Sequence, residues 1–166
     1  MKSAETIEQL RAELDQDFAF IVLNHEKNRV MTARVEANGS DDEYEYAALG
    51  YTLHNLYNAF ESYFLRVAKF FENNIDGAEW HRSLVERMTL TIQGVRPALF
   101  DLSFASRVEE LMRFRHLFRN LYKTPLVSRK VLLVNEDAAN LPDAFAPYHE
   151  AFDRFLLELK AQIVSG

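Results

Sequence analysis

The chain has 166 residues, 48% of them hydrophobic, no cysteine and a formal net charge of −6. That length predicts a single domain over residues 1–166 with one core, burying about 70% of the unfolded surface. The lack of cysteine excludes disulfides and thiolate metal sites, the acidic balance argues against indiscriminate nucleic-acid binding, and no apolar run approaches the ~20 residues of a bilayer span. With no signal-peptide pattern, a cytoplasmic protein without membrane association is expected.

In chain order, Ile7, Leu10, Leu14, Phe18, Ile21 and Val22 keep helical spacing, predicting a long amphipathic helix from Ala4 to about Ala37 with Ser3 as N-cap. Asn38, Gly39, Ser40, Asp41 and Asp42 break it, and two helices joined by so short a turn should pack antiparallel. A second helix, about Glu43 to Asn73, carries a near-continuous aromatic ladder including Tyr46, Tyr57, Phe60, Phe64 and Phe71. Its breadth predicts burial on more than one side. His54 and Glu61 stand seven apart on one face of it, facing either a site or the core, where a lone histidine on so apolar a helix usually belongs.

Asn73, Asn74, Asp76 and Gly77 supply a turn before a shorter helix, Glu79 to Leu90, in which Trp80 and His81 read as a packed helix start. Gly94 to Pro97 is a second turn, because Pro97 bars helix through Arg96. Residues 98–106 read as loop or a short turn of helix. The stretch 108–126 then combines an apolar helix face (Leu111, Phe114, Phe118, Leu121) with a flank bearing Arg115, Arg119 and Tyr122, and His116 and Lys123 further round. Pro125 predicts a helix end near Lys123. Residues 107–130 hold seven basic side chains against two acidic ones, a local +5 on a body of −11. Either an anion site or a solvated face of ordinary charge pairs explains that asymmetry.

Lys130 to Val134 is apolar but has no partner strand, so it predicts part of a helix or an extended connector. Phe145, Tyr148, Phe152, Phe155, Leu156, Leu159 and Ile163 mark a final helix. The whole is expected to be all-α, an up-and-down bundle of four to five helices. The histidines at 25, 54, 81, 116 and 149 form no His-Glu-x-x-His pair or other close ligand spacing. No metal site and no cofactor are therefore expected.

The stretch beginning at Arg115 resembles the signature of the HEPN superfamily, and within it the HepT-like ribonuclease toxins: Arg, four residues, His, one residue, Tyr. On this chain it runs Arg115, His116 to Arg119, then Asn120 where the family has its histidine, then Leu121 and Tyr122. Residues 49–61, 77–88 and 94–97 extend the likeness, which covers roughly residues 43–125. The resemblance implies metal-independent cleavage of RNA at a homodimer cleft, with Arg115 stabilising charge on the scissile phosphate and Arg113, Arg119 and Lys123 as further RNA contacts. The dimer is expected to bury aromatic residues of the second and fourth helices.

The family's histidine activates the ribose 2′-hydroxyl as general base, leaving a cyclic phosphate. Asn120 neither gains nor loses a proton near neutral pH, so its amide can only orient or hydrogen-bond. Either His116, one turn earlier, substitutes for the missing base, or the domain binds RNA or a partner and cuts poorly or not at all. The resemblance also implies a minimal nucleotidyltransferase antitoxin as partner, with Tyr122 as its adenylylation target.

Overall fold

A computed structural model describes residues 2–39, 41–72 and 80–166, without the side chains of 80–82. The expected turn at Asn73 to Gly77 and the side-chain roles of Trp80 and His81 therefore lie outside the described residues. Among the described residues there are six helices: α1 (Ala4–Asn38), α2 (Glu43–Phe71), α3 (Trp80–Met88), α4 (Leu102–Arg119), α5 (Ser128–Ala138) and α6 (Leu141–Ser165). The expected all-α bundle is what they form, and the apolar run at Lys130 to Val134 belongs to α5. None of the described helices is long and apolar enough to cross a membrane.

Local chemistry sets the helix ends. Ser3 and Thr6 form a reciprocal capping box at the start of α1, and Gly39, at φ 54°, closes it in the left-handed region. The Asp42 carboxylate accepts from Tyr44 N at 2.9 Å to cap α2, and that of Asp101 accepts from Phe104 N at 2.8 Å to cap α4. Gly94, at φ 74°, makes the turn before Pro97. Arg96, buried there, donates to Glu72 and to the carbonyls of Arg87, Leu90 and Pro97, so its charge is fully partnered.

All six helices contribute to one buried cluster. Phe60, Tyr63, Phe64 and Phe145 are completely buried and meet mostly edge-on, with Tyr63 and Phe145 centroids 4.9 Å apart at 84°. The α2 aromatics expected to cover a dimer face thus pack inside this chain's own core, as do Phe104 and Phe114 of α4. Of its aromatic residues α2 leaves Tyr44 and Tyr51 exposed.

Polar positions interrupt the apolar stripe of α1, and each is satisfied across helices. Asp17 accepts from Arg66 of α2 at 2.7 Å. Asn28 donates to Thr52 of α2 at 3.0 Å and to Asn135 of α5 at 2.8 Å, while Asn135 donates to Thr32 at 3.0 Å. His149 of α6 bridges Tyr63 of α2 at 2.8 Å and Asp15 of α1 at 2.9 Å. Such pairings tolerate one register of α1 against its neighbours, because a slipped helix would leave buried polar atoms unpaired.

Candidate functional site

The residues flagged by sequence lie at the C-terminal end of α4, beside α2. Gly50, His54, Tyr57 and Glu61, spaced four, three and four apart, form the strip of α2 that meets it. At Gly50 the absence of a side chain lets Phe118 approach: a Cβ there would stand 2.9 Å from Phe118 Cε2 and 3.1 Å from Phe114 Cζ. The His54 ring packs on Phe118 with centroids 5.6 Å apart. Further along, Arg115 donates to Glu61 Oε2 at 2.7 Å and lies over the Tyr57 ring, 5.3 Å from its centroid.

Arg115 is only 9% exposed, so it does not stand in solvent beside Arg119; it turns toward Glu61 of α2. Its Nε is buried with no hydrogen-bond partner among the described residues. The Tyr57 hydroxyl, also buried, sits close to both Glu61 and Arg115 without a well-formed hydrogen bond to either, and burial first, then Glu61, pushes its pKa far up. The charge of Arg115 is balanced by one carboxylate, while Arg119, one turn on, stays exposed. A cationic rim therefore overlies a neutralised interior.

His54 Nδ1 is buried and unpartnered among the described residues. Desolvation, then the charges of Arg115 and Arg119, lower the pKa of this imidazole below its ordinary 6.5, against a smaller opposing effect of Glu61. His54 is therefore a neutral imidazole at pH 7 in a positively charged setting.

The end of α4 differs from the sequence expectation. The helix stops at Arg119 rather than near Lys123, because Asn120 caps it. Its backbone N–H turns back to the carbonyls of Leu117 and Phe118, and its side-chain Nδ2 donates to His116 O at 2.9 Å. Leu121 to Lys123 follow as turns, so Tyr122 leaves the helical flank and stands 81% exposed, with Lys123 Nζ 5.4 Å from its ring centroid. The expected continuation assumed that only Pro125 would stop the helix; an amide that bonds its own preceding turn stops it earlier.

The remaining predicted contacts divide by environment. Arg113 is exposed but pairs with Glu110 and with Glu109 at 3.6 Å, the ordinary charge pairing that the sequence left open. His116 is exposed and lies about 100° round α4 from Arg115. Arg107 is held by the carbonyls of Asp137 and Ala139 at the end of α5. Among the described residues no group of three His, Asp or Glu is arranged to hold a metal ion. Sequence reasoning placed His54 and Glu61 on one face but missed Tyr57 and Gly50, which the same spacing joins to them.

The helical bundle thus sets an arginine of its fourth helix against a carboxylate of its second. The chain belongs to the family of HepT-like proteins, whose family model matches residues 48–156. That span contains the whole α2–α4 strip from Gly50 to Asn120. Searches of curated proteins and of solved structures gave no match.

Proposed function

We propose that this HepT-like protein is a toxin-type, metal-independent endoribonuclease that takes single-stranded RNA along the α2–α4 face, in a groove completed by a second copy. The observation that carries this reading is the pairing of Arg115 with Glu61 beneath an exposed Arg119, within the span matched by the family. Arg119 and Lys123 draw in the phosphate backbone, and Arg115, held between Glu61 and Tyr57, supplies hydrogen-bond donors where phosphorane charge develops. Asn120 in place of the family's histidine makes the activity weaker than that of a histidine-bearing member.

Fluorescence anisotropy with a labelled single-stranded RNA tests this. Affinity should fall with salt at a slope of about −0.7 per phosphate contact, and Arg119→Ala with Lys123→Ala should flatten that slope by about 1.4. A salt slope unchanged by the double substitution would remove RNA from this face.

A second reading, a non-cleaving domain that serves as RNA-binding or nucleotidyltransferase partner, draws support from one observation: the Asn120 amide is engaged with the His116 carbonyl. The exposed Tyr122 suits modification by such a partner, since an added nucleotide would place negative charge beside the basic rim. Stable co-purification with a nucleotidyltransferase, with an RNA ladder left uncut by the free protein, would favour it.

A further inference from the structure

We propose that His54 of α2 is the general base of the RNA-cleaving site, in the role that Asn120 cannot fill; the inference rests on the ribonuclease reading above. Three placements support it. The His54 ring packs at a tilt against Phe118, on the same helix as Arg115 and Arg119, whereas His116 lies about 100° round that helix from Arg115. Its Nδ1 has no partner among the described residues, although a core histidine is ordinarily hydrogen-bonded. Tyr51, three residues earlier and so beside it on the helix surface, is 58% exposed and offers a ring on which a base can stack.

The charged and titratable groups around the imidazole are Arg115 and Arg119 from α4 and Glu61 from its own helix. Burial first, then the two arginines, favour the neutral imidazole, which can accept a proton, and the arginines also attract the phosphate whose neighbouring hydroxyl must be deprotonated.

In the step itself Nε2 of His54, the nitrogen left to meet substrate because Nδ1 is buried, takes the proton of the ribose 2′-hydroxyl, and the oxygen's electron pair forms the new bond to phosphorus. The bond from phosphorus to the 5′-oxygen breaks, that oxygen leaves with the pair and is protonated by water, and the imidazolium returns its proton to solvent. The products are a 2′,3′-cyclic phosphate and a 5′-hydroxyl, with no metal or oxidant consumed.

Cleavage of a 5′-labelled single-stranded RNA by the full chain in EDTA, followed from pH 5 to 8, tests the assignment. The natural protein should show a rate that rises with pH through the imidazole titration. His54→Gln, folded by circular dichroism, should lose about 100-fold in rate and lose that limb. Added imidazole should restore part of the activity to His54→Ala, which a merely structural histidine would not allow. In an Asn120→His background the loss on His54→Gln should shrink, because a second base is present. If Arg119→Ala slows cleavage while His54→Gln keeps both rate and pH limb, the base assignment is overturned and the ribonuclease reading stands. If the natural protein yields no cyclic phosphate at any pH, both fall.

Discussion

Arg115 of α4 and Glu61 of α2, 54 residues apart in sequence, meet at 2.7 Å with side chains 11% and 12% exposed. Removing one partner strands the other charge in a poorly solvated place, which typically costs about 3–5 kcal/mol. Glu61→Ala should therefore lower stability by roughly 3 kcal/mol in urea unfolding, whereas Arg115→Met combined with Glu61→Leu should recover most of that loss while abolishing RNA cleavage. A Glu61→Ala chain as stable as the natural one would show that the pair is solvent-screened.

Gly50 sets how closely α2 approaches Phe118 and hence where the His54 ring rests. Gly50→Ala gains about 1 kcal/mol of helix propensity but places a methyl 2.9 Å from Phe118 Cε2. Overpacking of that kind costs about 1–3 kcal/mol, so a net loss of about 1 kcal/mol and a displaced Phe118 are expected. The urea midpoint reports the first, and the ring shifts of Phe118 and His54 by NMR report the second.

The Asn28 amide joins α1 to both α2 and α5. Asn28→Ala leaves Thr52 and Asn135 short of a partner and should destabilise by about 1–3 kcal/mol. Asn24→Ala, one turn away and bonded to the Phe20 carbonyl of its own helix, should cost under about 0.5 kcal/mol. Equal effects at the two positions would contradict a structural role for the network.

Two histidines should make the fold acid-sensitive. Desolvation comes first among the causes that lower the pKa of both His25 and His54 from the ordinary 6.5; Arg29 adds to it at His25, Arg115 and Arg119 at His54. Below about pH 6.5 the unfolded chain binds protons at these positions that the folded chain still refuses, so stability falls with pH until the lowered folded-state values are passed. His25→Gln with His54→Gln should flatten the melting temperature between pH 7 and pH 5. An unchanged slope would place the acid sensitivity elsewhere.

Much of the fold is legible in the sequence because apolar spacing and caps agree: Ser3, Gly39, Asp42 and Pro97 mark boundaries that the structure keeps. Asn120 is where local chemistry hid the answer, since an asparagine continues a helix on paper and ends it when its amide turns back to His116 O. The site is only half legible for a related reason. Spacing places Arg115 and His54 on helix faces, but only the packing of α4 on α2 reveals that Arg115 is buried against Glu61 and that the His54 ring meets Phe118. Likewise the aromatic ladder of α2 looks the same whether it covers a partner or its own core; the positions of Phe100, Phe104 and Phe145 decide it.

The claim that the α2–α4 face cleaves RNA is tested most directly by incubating the purified chain and its Asn120→His variant with single-stranded RNA in excess EDTA and analysing the fragment ends. The natural chain should cut slowly, leaving 2′,3′-cyclic phosphate ends, Arg119→Ala should cut more slowly still, and Asn120→His should raise the rate further as a second base is added at the end of α4. RNA left intact by both the natural chain and Asn120→His, with each folded and the RNA bound, would contradict it.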